Sequence, residues 1–205
     1  MLSPSSFYQY AKLHEGQFRY LELHPGTGQQ PLECSLHMKP VDAANFEALS
    51  YVWGSDDRNQ RILCDGHVLF ITTNLYSALH RIRLPHASRN LWADFICINQ
   101  EDLEEKAHQV STMGQIYRQA SRVLILLGSD DGGHGEHVCS LVDDVCALVK
   151  RTLGHVPEDW NAFPHSDPTE PLQNDLRWDS IGFLLKDVWF TRGWVSKPLV
   201  NPVTH

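Results

Sequence analysis

The run LWADFICI at residues 91–98 decides the fold class that the sequence predicts. It is almost continuously apolar, interrupted only by Asp94, and a short run of this kind is typical of a strand covered on both faces. A second apolar run, VLILL at residues 123–127, is separated from the first by a helical pattern. Because parallel strands need a long crossover connection, the two runs predict two strands of a parallel sheet.

Helical patterns lie between and beside these runs. Apolar residues at helical spacing predict four helices, over residues 75–82, 107–120, 138–149 and 181–188. We expect Thr73 or Asn74 to cap the first helix, and Asp102 to cap the second with Glu105 as its capping-box partner. With residues 48–53 as a further strand, strands and helices alternate along the chain. This alternation predicts an α/β fold with a doubly wound, mostly parallel sheet flanked by helices.

Shorter segments nearer the N-terminus predict antiparallel hairpins added at the edge of this sheet: residues 18–23, 34–38, 61–64 and 67–71. The Asp65-Gly66 pair between the last two segments predicts a type I′ turn, which requires positive φ angles. The chain is therefore divided into an N-terminal extension (residues 1–17), an α/β core (residues 18–154) and a final segment (residues 155–205). The final segment combines a proline-rich loop with the last helix.

The composition excludes several classes of function. Lys and Arg number 17 against 25 Asp and Glu, and the resulting charge of −8 argues against a nucleic-acid partner. No apolar run reaches the roughly 18 residues that a membrane span requires, and the N-terminus lacks the pattern of a secretory signal. The five cysteines have no framework spacing. They predict reduced thiols in an intracellular protein, and we expect it in the cytoplasm.

Ligands of parallel sheets bind outside the carboxyl ends of the strands. Residues at or after the predicted strand ends are therefore candidates for ligand binding: Trp53, Gly54, Asp94, Asn99, Gln100 and Gly128. Glycines and small polar side chains let backbone N–H groups approach a ligand. The aspartates of these loops suit ribose hydroxyls or a cation better than a bare phosphate. The alternative is that these residues only form turns and cap helices.

Three further features carry competing interpretations. Asp94 interrupts an apolar strand and must be paired, either to orient a catalytic or ligand-binding group or as a structural acceptor of loop N–H groups. Cys97 lies on the opposite strand face by the two-residue period, and we interpret it as an inert buried thiol. His134, His137 and Cys139 are close enough in sequence for zinc. Since no second ligand pair completes a site, we predict no metal centre.

Four stretches, in this order, resemble sequence blocks of the HET (heterokaryon incompatibility) domain of fungal proteins. They are ALSYVWG at residues 48–54, NLYSAL at 74–79, LWADFICINQ at 91–100 and the pattern QV..M..IY..A..V....G at 109–128. The family shows ALSYVWG, NL..AL, LWiDaiCINQ and QV..M..IY..A..V..WLG. Each block alone is a weak signal, but their order and spacing together are specific.

The resemblance implies a self/non-self recognition or cell-death effector domain that acts by self-assembly or by binding a protein partner. The HET domain is similar to Toll-type (TIR) domains, which have a doubly wound, flavodoxin-like fold and in some cases cleave NAD with a glutamate. By that analogy NAD or another nucleotide is a candidate ligand, and Asp94 and Glu105 are the catalytic candidates. Glu101 and Glu104 are the other acids nearby.

The sequence also departs from the family pattern. It has Glu105-Lys106 where the family usually has Glu-Arg, and a lysine cannot hold a carboxylate bidentately. Residues 189–195 resemble the family block WF.R.WV.QE, but Ser196-Lys197 replaces Gln-Glu. If the missing acid serves catalysis, the chain is inactive. A third alternative is therefore a C-terminally truncated or divergent member that regulates full-length relatives.

Overall fold

A computed structural model describes residues 6–155 and 171–191 of the chain. These residues belong to two compact units, one ending at Leu126 and the other beginning at Leu127. The division into an extension, a core and a final segment that we drew from the sequence stays a prediction.

The first unit contains a seven-stranded sheet with the order β5-β4-β2-β1-β6-β3-β7. Its strands are β1 (Gln17–Leu23), β2 (Glu33–Pro40), β3 (Glu47–Tyr51), β4 (Gln60–Cys64), β5 (His67–Ile71), β6 (Arg89–Trp92) and β7 (Val123–Leu126). Its α-helices are α1 (Thr73–Ile82), α2 (Asp94–Cys97) and α3 (Leu103–Gln119), and a 3₁₀ turn covers Val41–Ala43.

The strand pairings divide the sheet into two parts. β3 pairs in parallel with both β6 and β7, as predicted for strands joined by helical crossovers. On the other side, β1 pairs antiparallel with β2 and with β6, β4 pairs antiparallel with β5, and β2 and β4 are parallel. The α/β class is confirmed, with a mixed sheet in which the predicted hairpins form one side.

The turn between β4 and β5 is the hairpin turn that the sequence predicts. Asp65 has a φ of 48° and Gly66 a φ of 76°, as a type I′ turn requires at both central positions. Cys64 and His67 are directly paired across the turn.

The run at residues 91–98 is only half a strand, so the prediction of a strand through Ile98 is wrong. β6 ends at Trp92, and α2 follows after Ala93. The Ala93 carbonyl accepts hydrogen bonds from the N–H groups of Ile96 at 3.0 Å and Cys97 at 2.8 Å, which close the helical turn. All four residues of α2 are buried, and a short buried helix has the same apolar composition as a buried strand. The placement of Cys97 on the opposite strand face from Asp94 is wrong for the same reason.

The predicted helix caps are correct at one helix and wrong at the other. Asp102 caps α3, where its Oδ1 accepts from the N–H groups of Glu104 and Glu105. Thr72, and not Thr73 or Asn74, caps α1, since its Oγ1 accepts from the Leu75 N–H at 3.4 Å. One residue of error at a helix end is expected when several capping residue types are adjacent.

The apolar sequence of β7 predicted a strand covered on both faces, and this prediction is wrong. β7 lies at an edge of the sheet, and the side chains of Val123 and Ile125 are 42% and 49% exposed. Leu124 and Leu126, on the alternate positions, pack against the core. The core of the first unit is otherwise continuous from the sheet to α1 and α2, with Trp92 fully buried in it.

The second unit contains two α-helices, α4 (His134–Leu153) and α5 (Arg177–Leu184), with 3₁₀ turns at Pro171–Asn174 and Val188–Thr191. The last predicted helix is confirmed, although it lies a few residues earlier than residues 181–188. Within the described ranges, no helix is both long and apolar enough to cross a membrane. The proline-rich loop lies largely outside the described residues, and so does the replaced Ser196-Lys197 pair.

Candidate functional site

Asp94 is the centre of a buried hydrogen-bonded cluster at the carboxyl end of β3. Asp94 is only 6% exposed to solvent. Its carboxylate accepts from the Tyr51 hydroxyl at 3.1 Å, from the Trp53 indole N–H at 2.9 and 3.0 Å and from the Phe95 N–H at 2.8 Å. A buried carboxylate requires several donors, and here they come from the end of β3, from the loop that follows β3 and from the backbone of α2. The structure therefore brings together Trp53 and Asp94, two of the predicted site residues.

Aromatic and charged side chains extend this cluster to the surface. The Trp53 ring meets the Phe95 ring edge-on, with centroids 5.4 Å apart. The Arg58 guanidinium lies 5.4 Å from the Phe95 ring centroid and donates to the Glu101 carboxylate at 2.6 Å. The Glu101 side chain is 76% exposed. Sequence reasoning missed Arg58, which follows the strand by seven residues and lies in a polar loop without a motif.

Gly54 is required by close packing next to Trp53. It has a φ of 71°, and a Cβ atom at this position would lie 2.6 Å from Asn74 Nδ2. That amide group donates to the Val52 carbonyl at 3.1 Å. A glycine is therefore needed for the turn after β3, whether or not its backbone also meets a ligand.

Asn99 and Gln100 bind the backbone around α2. The Gln100 side-chain amide donates to the carbonyls of Asp94 at 3.1 Å and Ile98 at 3.2 Å. Its Oε1 is buried and accepts no hydrogen bond within the described part of the chain. The Asn99 Oδ1 accepts from the Glu101 N–H at 3.2 Å. Gln100 therefore contacts the Asp94 main chain and offers an unused acceptor, whereas Asn99 binds within the turn after α2.

Glu105 belongs to a second carboxylate cluster, built on Arg19 of β1. The Arg19 guanidinium donates to the two oxygens of Glu105 at 2.5 and 2.9 Å. The two side chains are 1% and 9% exposed. Glu105 also accepts from the Asn99 N–H at 2.7 Å. The expected capping-box role of Glu105 is therefore wrong, because its carboxylate is engaged by a planar arginine from a distant strand.

Backbone carbonyls also accept hydrogen bonds from the two terminal nitrogens of Arg19. It donates to the carbonyls of Cys97 at 3.2 Å and Ala11 at 2.6 Å, and its guanidinium lies 5.0 Å from the Tyr10 ring centroid. The Tyr10 hydroxyl donates to the Ile96 carbonyl at 2.9 Å. These hydrogen bonds hold the last two carbonyls of α2 in place. Arg19 also supplies the bidentate guanidinium that Lys106 cannot provide.

Gly128 belongs to the second compact unit, where its N–H donates to Asp187 Oδ2 at 2.9 Å. In the same unit, the Nδ1 atoms of His134 and His137 lie 3.1 and 3.2 Å from the Ser180 hydroxyl oxygen. Across the ranges 6–155 and 171–191, no three His, Cys, Asp or Glu side chains are grouped as metal ligands.

Burial explains the chemistry expected of Cys97. The residue is fully buried in α2, and this burial raises the pKa of its thiol to about 12. At neutral pH its thiolate fraction is then on the order of a thousandfold below that of an ordinary cysteine. Cys139, by contrast, is exposed on α4.

We expect iodoacetamide to alkylate Cys139 in the native protein while Cys97 reacts only after unfolding. Peptide mapping by mass spectrometry, with and without urea, measures both rates. Cys139→Ser serves as the control, since it should remove the fast-reacting peptide and leave the others unchanged. Equal labelling of Cys97 and Cys139 in the folded protein would contradict the assignment of Cys97 as an inert thiol.

These features define an α/β domain with two buried carboxylate clusters at one end of its sheet. The family model for Heterokaryon incompatibility protein (HET) matches residues 46–197, and the chain belongs to this family. It is 38% identical over 125 residues to Heterokaryon incompatibility protein 6, OR allele, of Neurospora crassa. That match covers 54% of this chain but only 18% of the relative. No solved structure matches the chain.

Proposed function

We propose that this domain acts in heterokaryon incompatibility through protein association, as a self/non-self recognition or cell-death module in the cytoplasm. The observation that supports association over catalysis is that protein donors already engage both acids that the sequence nominated. Asp94 accepts from Tyr51, Trp53 and Phe95, and Glu105 accepts from the Arg19 guanidinium and a backbone N–H.

A general acid or base must exchange a proton with a bound substrate, so it needs both a free site and access. Asp94 has several hydrogen bonds at 2.8–3.1 Å, and Glu105 forms a fork with Arg19 that would have to open first. Their geometry suits carboxylates that order the loops of the domain. A surface ordered in this way is what recognition of a partner or of a second copy requires.

Hydrolysis of NAD or another nucleotide is the second candidate, and Glu101 is the observation that favours it. Its carboxylate is largely exposed, lies beside Arg58 and follows Gln100, whose buried Oε1 accepts no hydrogen bond within the described residues. Glu101 lies in the loop after α2 and pairs with Arg58 from the loop after β3. The carboxyl ends of parallel strands are the usual place of ligands in α/β sheets. Under this alternative Glu101, and not Asp94 or Glu105, is the acid.

One pair of measurements separates the two candidates. The purified chain is incubated with NAD while nicotinamide release is followed by chromatography, and its association is measured by sedimentation velocity over a range of concentrations. We expect no release and a concentration-dependent increase in sedimentation coefficient. Release that is lost in Glu101→Gln but kept in the matched variant Glu104→Gln would establish the enzyme instead. A chain that stays monomeric at every concentration and also binds no relative would contradict association.

A further inference from the structure

A polar pocket lies at the end of the sheet opposite to the Asp94 cluster. Its volume is about 500 Å³, within the range of pockets that hold small molecules. Glu47 and Arg89, which line it, are the first residues of β3 and β6, and Arg122 directly precedes β7. Because these three strands are parallel, the pocket is at their amino ends, whereas the Asp94 cluster follows the carboxyl end of β3.

The charged side chains of this pocket leave one positive charge in excess. Arg89 donates from Nε and Nη2 to the two oxygens of Glu47, and Arg122 donates from Nε to the same carboxylate. These hydrogen bonds, that from Arg89 first, hold the pKa of Glu47 below its usual value. Glu47 is therefore ionised at neutral pH, and it neutralises one of the two arginines.

The two arginines differ in how much of each guanidinium is available. Arg89 is 13% exposed and also donates from Nη1 to the Ile82 carbonyl at 2.8 Å. Arg122 is 65% exposed, and within the described residues only its Nε forms a hydrogen bond. Arg122 is thus anchored by one edge through Glu47 while both of its terminal nitrogens remain available to a ligand. That arrangement suits bidentate binding of an anionic group.

The other polar residues that line the pocket are uncharged. The Asn90 amide donates to the Asn45 backbone carbonyl at 3.2 Å, and no described residue pairs with the Asn45 side chain. The Ser88 hydroxyl hydrogen-bonds to the Glu22 carboxylate outside the lining. Phe46 is the one aromatic residue among the lining residues, and it is only 1% exposed. The pocket therefore offers hydrogen bonds to a polar body but no stacking surface for a nucleobase.

We infer that this pocket binds a small phosphate-bearing polar molecule of the sugar-phosphate class, with its phosphate on Arg122 and its hydroxyls near Asn45 and Asn90. Phosphate fits better than a single carboxylate because its oxygens can reach both the guanidinium and the neighbouring amides. A pocket of this volume also has room for more than the phosphate alone. The inference concerns a different end of the sheet and does not rest on the proposed association or on NAD cleavage.

Isothermal titration calorimetry of the whole chain with ribose 5-phosphate, ribose and inorganic phosphate, at matched ionic strength, tests this inference. We expect ribose 5-phosphate to bind at one site, inorganic phosphate to bind about tenfold or more weakly, and ribose to give no heat. Arg122→Gln should weaken ribose 5-phosphate by about tenfold or more, because it removes a charged donor pair. Asn45→Ala should weaken it severalfold.

Arg118→Gln is the matched control. Arg118 is an exposed arginine on α3 outside the pocket, so its loss changes the net charge equally and should leave binding unchanged. Circular dichroism confirms that each variant is folded. Absence of ribose 5-phosphate binding, or equal weakening by Arg118→Gln and Arg122→Gln, would overturn the inference. Inorganic phosphate binding as tightly as ribose 5-phosphate would overturn the sugar-phosphate assignment.

Discussion

Replacing Arg19 with methionine should lower the free energy of unfolding of the first compact unit by about 3–5 kcal/mol. The Arg19 side chain is 1% exposed and holds both oxygens of Glu105. Methionine keeps most of the apolar stem but leaves the Glu105 carboxylate buried without its counter-charge. Most of the lost stability comes from leaving the buried Glu105 carboxylate unpaired, because an intact buried ion pair contributes little net stability.

Urea unfolding followed by tryptophan fluorescence measures this loss, because Trp92 is in the same core. The double variant Arg19→Met/Glu105→Leu removes both charges and should regain a large part of the stability. Arg58→Met is the matched control, since its pair with Glu101 is exposed and should contribute less than about 1 kcal/mol. A loss below about 1 kcal/mol for Arg19→Met would show that the Arg19–Glu105 pair does not stabilise the domain.

Local sequence patterns predicted most of the elements of this fold. The Asp65-Gly66 turn, the helical spacing of α1 and the capping by Asp102 each depend on residues within a few positions of one another. The run at residues 91–98 failed because a strand and a short buried helix are both continuously apolar. The two differ in their backbone hydrogen bonds, which here run from Ile96 and Cys97 to the Ala93 carbonyl.

The sequence indicated Trp53 and Asp94, which the structure brings together, but it did not indicate the pairing of Glu105 with Arg19. The need for a partner at Asp94 follows from burial, and Trp53 lies at the end of the strand that supplies one. Arg19, in contrast, is 86 positions from Glu105 and lies in a segment that reads as an alternating strand. Alternation places a polar side chain towards solvent, so nothing local indicates that Arg19 is buried. The local pattern of a single sequence carries no signal for a pairing between residues this far apart.

Replacing Asp94 with alanine should destabilise the first unit by about 3 kcal/mol. The substitution leaves the Tyr51 hydroxyl and the Trp53 indole N–H without the acceptor that each now has in the carboxylate. Each buried donor left unpaired costs roughly 1–3 kcal/mol, although water that enters the space recovers part of it. Asp94→Asn keeps the shape and one acceptor oxygen, and we expect a smaller loss.

Thermal unfolding by circular dichroism measures these losses, and a cycle with Trp53→Phe assigns the share of the Trp53–Asp94 bond. Trp53→Phe keeps a ring near Phe95 and removes the indole donor, so alone it should cost about 1 kcal/mol. If the two side chains act through one hydrogen bond, the double variant should be less destabilised than the sum of the single variants. Strict additivity would contradict this coupling.

The Asp94→Asn variant also distinguishes a structural role of Asp94 from a catalytic one, because each role predicts the loss of a different property. If Asp94 is structural, Asp94→Asn should lower both the stability of the domain and its association. Conditions that restore folding of the variant should then also restore its association. A catalytic Asp94 would instead leave a folded, stable Asp94→Asn variant that has lost nicotinamide release. The carboxylate accepts from an indole, a phenol and a backbone N–H, all from the protein itself. We therefore expect the first pattern, in which the acid orders the loops at this end of the sheet.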